Sequence, residues 1–124
     1  FQMNDLQAAV GRAQLERWPS MLARRREIFE RYRAAGLDLV DLPAAPGRTT
    51  TPYRAVLRTE NPAEVIAALE AGGVRAICPL EDWELLGDGE DFPNALRWTR
   101  TTVSLPCYPA LTDVEVDRVL RHLP

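Results

Sequence analysis

The run from Phe1 to Tyr32, FQMNDLQAAVGRAQLERWPSMLARRREIFERY, constrains the fold of this chain more than any other stretch. It reads as one long helix. Asn4 caps its start if its side-chain oxygen accepts from a backbone N–H one turn in, and Gln7 can reach back to complete a capping box. Leu6, Ala9, Val10 and Ala13 recur at helical spacing, so one stripe is apolar, and Met21, Leu22, Ile28, Phe29 and Tyr32 continue it. The small side chains of Ala8 and Ala9 allow another backbone to come close. Pro19 lacks a backbone donor and disfavours helix at Trp18, which predicts a kink or break there. Gly36, after Ala34 and Ala35, fits a helix end in the left-handed conformation.

Shorter elements follow. Leu37 to Leu42 alternates apolar and acidic residues, as a short strand or extended connector does. Pro43 to Pro52 is a loop by composition, one with room for mobility. Tyr53 to Thr59 has the aromatic and β-branched content of a strand. Asn61-Pro62-Ala63-Glu64 opens a helix with Val65, Ile66 and Leu69 on its buried face, and Gly72-Gly73 ends it. Val74 to Cys78 reads as a short strand stopped by Pro79. Leu80 to Asp91 reads as a helical turn followed by a Gly-Asp-Gly loop. Phe92 to Arg100 is a helix with Pro93 at its start, and Thr102 to Leu105 is a strand ended by Pro106. Thr112 and Glu115 form another capping box, ahead of Val116, Val119, Leu120 and Leu123 at helical spacing. The fold class is therefore α+β: a small, mostly antiparallel or mixed sheet covered by helices, with a long N-terminal helix.

With 124 residues the chain holds one domain and one core. Its net charge of −3 argues against a nucleic-acid partner. No apolar run approaches the roughly 18 residues of a membrane span, and no signal-peptide pattern is visible. Cys78 and Cys107 make neither a disulfide framework nor a metal cluster, as expected of cytosolic thiols. The chain opens on a hydrophobic residue just ahead of a helix cap, without an initiator Met, as a fragment or trimmed product would. All 15 basic residues are Arg. Without a lysine amine, no side chain here can hold a carbonyl compound as a Schiff base.

Several residues invite a functional reading that the pattern around them weakens. His122 falls in the last helical turn, where a cation is favoured, and no partner for a general base is visible. Cys107 lies between two prolines with no neighbouring His. Arg24, Arg25 and Arg26 read as a solvated helix face paired with Glu27, Glu30 and Asp residues rather than a phosphate site. Asp82, Glu84, Asp88, Glu90 and Asp91 are acidic but fit no calcium loop. Trp18, Trp83 and Trp98 read as core or interface residues.

A family resemblance runs through the chain in order. Met3-Asn4-Asp5-Leu6-Gln7-Ala8-Ala9 with Gln14-Leu15 resembles the segment that opens the C-terminal part of the DegT/StrS-type aminotransferases. Tyr53-Arg54-Ala55-Val56, Ala71-Gly72-Gly73-Val74 and Phe92-Pro93-Asn94-Ala95 resemble later segments of the same family. Ser104-Leu105-Pro106-Cys107-Tyr108-Pro109, with Leu111-Thr112, resembles its ending. The resemblance implies that residues 1–124 are the small C-terminal domain of a pyridoxal phosphate (PLP) enzyme of fold type I. It implies a cytoplasmic homodimer with active sites at the interface. The large domain, with the Schiff-base lysine and the Asp that pairs the cofactor ring nitrogen, would lie outside this chain. The implied reaction moves an amino group from an amino acid, with glutamate as the expected donor, to a nucleotide-linked keto-sugar in polysaccharide or antibiotic sugar biosynthesis. PLP belongs to the full-length parent, and the chain alone is expected to hold no cofactor and to be inactive.

The same resemblance makes Gln2 the candidate cofactor-binding residue. It stands where the family commonly carries Arg, beside a phosphate-binding Asn that is not in this chain. Gln keeps hydrogen bonding but loses the charge. Ile77-Cys78-Pro79 stands where the family often has His-Tyr-Pro near the sugar, so the substrate is open to difference. No catalytic residue, metal ligand or substrate residue is assigned. Two alternatives stay open: a non-catalytic dimerisation or partner-binding module derived from the family, and a relative that dehydrates instead of transaminating.

Overall fold

Helix α1 runs unbroken from Asp5 to Ala34. This comes from a computed structural model, which describes residues 2–41, 46–47, 50–87 and 91–124. The capping box is formed: the Gln7 N–H donates to Asn4 Oδ1 at 2.8 Å, and the Asn4 N–H donates to Gln7 Oε1 at 3.1 Å. The break expected at Pro19 is absent, and the helix passes through it. Residues 15–20 are all exposed, so the Leu15 carbonyl that Pro19 leaves without a donor faces water. The Ser20 hydroxyl also donates to the Arg17 carbonyl at 2.8 Å, one turn back.

Ala35 closes α1, and Gly36 takes φ +86°. The Leu37 N–H reaches the Tyr32 carbonyl and the Gly36 N–H the Arg33 carbonyl, the paired bonds of a Schellman motif. Helix α2, Pro62–Ala71, ends the same way, with Gly73 at φ +72° and the Val74 N–H bonded to the Leu69 carbonyl at 2.9 Å. Asn61 precedes α2 but its side chain makes no cap bond.

Strand β1, Ala55–Arg58, pairs antiparallel with β2, Thr102–Leu105, in the register Val56 opposite Ser104. The strand expected at 74–78 shrinks to a single bridge, Ile77 to Ser104, and the segment at 37–42, read as a short strand or an extended connector, is a connector with one bridge, Leu39 to Leu57. Each lies near a turn glycine and a proline that cannot donate to a ladder, so pairing stops early. Asp82–Glu84 is one turn of 3-10 helix, α3 spans Pro93–Arg100, and α4 spans Asp113–Arg121 behind the expected Thr112–Glu115 capping box. Asp88 and Gly89 of the Gly-Asp-Gly loop and residues 43–45 and 48–49 of the Pro-rich loop lie outside the described residues.

The core forms where the second half of α1, the sheet, α2 and α4 meet. Ile28, Tyr32, Leu69, Val103, Val116 and Val119 are its largest fully buried side chains. Arg24 and Arg31 of α1 both pair with Asp113, at 2.8 and 2.7 Å, and Arg31 also holds Asp117 at 2.6 Å, tying α1 to α4. The Tyr32 hydroxyl donates to the Pro106 carbonyl at 2.9 Å. None of the three tryptophans joins this core, and Trp83 is 82% exposed. Among the described residues, no helix is long and apolar enough to cross a membrane.

Candidate functional site

Two hollows open beside the sheet and share one side chain, Tyr108. The first is a cleft of about 430 Å³ between β2, the segment after α2, and α4. Its wall includes Ser104 and Pro106 from β2 and its exit, Arg75 and Ile77, and Glu115 and Arg118 from α4. Arg54 closes it from the residue before β1. The register places Ser104 opposite Val56, within reach of Arg54, whose Nη1 donates to Ser104 Oγ at 3.3 Å. Val74, Leu105, Leu111 and Val119, all buried, form the apolar floor.

The second hollow, of about 600 Å³, lies between the middle of α1 and the loops before β1 and after β2. Trp18, Tyr53 and Tyr108 bring three exposed rings to it. The Arg25 guanidinium stacks over the Tyr53 ring at 5.4 Å, and that of Arg54 lies 5.8 Å from the same ring. Arg25 also donates to the Tyr53 carbonyl at 2.7 Å and the Cys107 carbonyl at 2.5 Å, pinning both loops to α1.

The residues singled out in the sequence divide sharply. Gln2 is exposed and lies two residues ahead of the α1 cap, apart from both hollows' linings. Arg24 pairs with Glu27 and Asp113, as expected, but Arg24 and Arg25 also clamp backbone carbonyls and are not a free solvated face. His122 is structural: it caps α4, its Nδ1 lies 2.8 Å from the Arg118 carbonyl, and its ring packs against Gly72. Cys107 is buried, and burial pushes its thiol up, away from the thiolate a nucleophile needs. Asp82 is engaged by the Thr99 hydroxyl and by Arg100, which hold its carboxyl below the usual range. Among the described residues no acidic, His or Cys group is placed to hold a metal ion.

The cleft residues Arg54, Arg75, Ser104, Tyr108 and Arg118 were not legible as a set. They come from five places in the chain, and no spacing marks them.

Residues 1–124 match the family model described as the DegT/DnrJ/EryC1/StrS aminotransferase family. The chain belongs to that family. It is 33% identical to the spore coat polysaccharide biosynthesis protein SpsC of Bacillus subtilis (strain 168), an alignment covering 97% of this chain and 36% of SpsC. Its structure is similar to that of the aminotransferase TlmJ from Streptoalloteichus hindustanus, with 30% identity, a TM-score of 0.82, and coverage of 97% and 35% of the two chains. It is also similar to the PLP form of the candidate sugar aminotransferase Spr1654 from Streptococcus pneumoniae, with 25% identity, a TM-score of 0.75, and coverage of 97% and 34%. The chain thus spans about a third of the length of these relatives. The family's cofactor does not fit this chain as a covalent group, because the chain has no lysine to bind it.

Proposed function

We propose that this chain is the C-terminal domain of a PLP-dependent sugar aminotransferase, moving an amino group from an amino acid to a nucleotide-linked keto-sugar. The observation that carries the reading is the family match along the whole of residues 1–124. The names of its relatives support the sugar: SpsC is a polysaccharide biosynthesis protein, and Spr1654 was solved with PLP. These matches favour the enzyme over a non-catalytic module. Glutamate is the proposed donor, and the cytoplasm the proposed location.

The absence of lysine divides the labour. The covalent cofactor chemistry belongs to a large domain outside these residues, and no step is assigned to PLP on this chain. What this chain supplies is a wall and a dimer contact. Gln2, exposed ahead of α1, is free to donate its amide to a cofactor phosphate. The exposed apolar stripe of α1 covers the large domain or the partner subunit of a homodimer.

The test is to express the chain with the sequence that precedes it in its own gene. A visible PLP absorbance band that bleaches on adding glutamate, with 2-oxoglutarate formed in step with an aminated sugar nucleotide, is the expected result. A protein that binds no PLP overturns the reading. Loss of water from the sugar without amino transfer replaces it with dehydration.

A further inference from the structure

We propose that two copies of this chain associate through complementary surfaces: the acidic apolar ridge of Leu80, Trp83, Leu86 and Phe92 on one copy seats in the aromatic hollow beside α1 of the other. The pairing stands on these two surfaces and needs neither PLP nor an amino donor.

The large apolar side chains left exposed on the described residues are not scattered. Apart from Val114, they lie along the first half of α1 and its neighbouring loops, or between Ile77 and Trp98. Single exposed apolar residues are ordinary, whereas patches of them mark interaction sites. The hollow gathers Trp18, Met21, Tyr53 and Tyr108 with the cations Arg17 and Arg25. Aromatic rings, Met and Arg are the residues that interfaces concentrate, and no Asp or Glu stands among the described residues of its wall. The Tyr53 and Cys107 carbonyls hold the Arg25 guanidinium, which stacks on the Tyr53 ring, so this wall is set before anything docks.

The ridge has the opposite charge. Residues 80–92 contain no Arg, and Glu81, Glu84 and Asp91 pair with no described cation. Trp83 and the fully exposed Leu86 stand out from the turn at Asp82–Glu84, and the Phe92 ring folds back against Gly87. Asp82 anchors this turn to α3 through the Thr99 hydroxyl and Arg100. Glu84 Oε2 accepts from the Glu81 N–H at 2.8 Å, which keeps its carboxylate on the turn that carries Trp83. Unpaired charges occur elsewhere on the chain. What marks these two surfaces is the coincidence of exposed rings with charge of one sign, positive at the hollow and negative at the ridge. Within one copy both stay bare, so the ridge does not cover its own hollow. Between two copies each ridge meets the other's hollow, the reciprocal contact of a two-fold pair. The Trp83 indole is then the anchor that loses its water among rings, while Glu84 comes to the rim that Arg17 occupies.

Sedimentation velocity of the full 124-residue chain at rising concentration tests the pairing, and a monomer–dimer equilibrium weakened by added salt is expected. Trp83→Ala and Trp18→Ala are each expected to weaken it about tenfold or more. Val114→Ser, at an exposed apolar residue outside both surfaces, is expected to leave it unchanged. Arg17→Glu alone and Glu84→Arg alone set like charges against each other and should each stay monomeric where the parent pairs. Mixed in equal amounts, the two variants regain opposite signs at both contacts, and the dimer should return. A parent chain that stays monomeric throughout overturns the proposal. So does a dimer that Trp83→Ala leaves intact, which moves the contact elsewhere, or a mixture of the two charge-reversed chains that fails to associate. Loss of folding stability from Trp83→Ala in a monomeric longer protein gives the ridge to another domain of the same chain and overturns it as well. No arm of the test uses PLP, so the aminotransferase reading stands or falls separately.

Discussion

The two halves of α1 carry the same kind of sequence and meet different fates. From Met21 onward the apolar stripe is used: Ile28, Phe29 and Tyr32 are buried, and Arg24 and Arg31 lock the helix to α4. From Asp5 to Ser20 it is not. Leu6 is 74% exposed and Leu15 70%, and nothing on this stretch reaches the core. Both halves were predicted by periodicity alone, and periodicity cannot tell a face that this chain covers from one that another body must cover. Under the proposed function, that bare stripe is the face on which the large domain or a partner subunit packs.

Several substitutions test how deep that difference runs. Ile28→Ala empties a fully buried site and is expected to cost about 2 to 5 kcal/mol in urea unfolding. Leu6→Ala is expected to move the same midpoint by no more than about 0.5 kcal/mol. Comparable losses at the two positions would mean that the first half packs in solution and would erase the distinction.

A smaller effect is expected at Tyr32. Tyr32→Phe strands the Pro106 carbonyl and is expected to cost about 1 to 3 kcal/mol. Burial raises the Tyr32 pKa, so the folded state favours its neutral form. That contribution is complete below the unfolded phenol value of about 10 and declines as pH rises above it. Stability measured between pH 8 and 11 should therefore fall more steeply in the parent than in Tyr32→Phe. Equal slopes would show that Tyr32 does not control the alkaline limb.

The mildest contrast uses the same motif twice. Thr112→Ala removes the cap of packed α4 and is expected to lower global stability by about 1 kcal/mol. Asn4→Ala removes the matching cap of α1 and is expected to leave global unfolding unchanged. It should instead speed hydrogen exchange in the first turns of α1. A global loss from Asn4→Ala would couple the first half of α1 to the core.

Much of the fold was legible because it rests on short-range chemistry. The Asn4–Gln7 and Thr112–Glu115 boxes, and the turns at Gly36 and Gly73, follow from residues a turn apart. So do β1 and β2, marked by the β-branched Val56 in the one and Thr102 and Val103 in the other. Expectations failed where a neighbour in space had the deciding voice. The segment 74–78 looked like a strand, but Ser104 offers it only one bridge. Pro19 looked like a break, yet the helix continues around it with its freed carbonyl in water. Trp98, read as core or interface, stays out of this chain's core and lies exposed, with the Arg58 guanidinium 5.5 Å from its ring.

The candidate site was legible only in its negative part. A chain without lysine cannot hold PLP covalently, whatever its fold, because that bond needs one particular amine. The ordered motifs carried the family for the same reason: caps, turn glycines and strand ends are written locally. The cleft required the assembled molecule. Arg54, Arg75 and Arg118 have no periodic relation, and it is the β1–β2 register, the Gly73 turn and the docking of α4 that bring them to one wall. Which side chains share a wall depends on distance in space, and distance in space is a property of packing that no single segment carries.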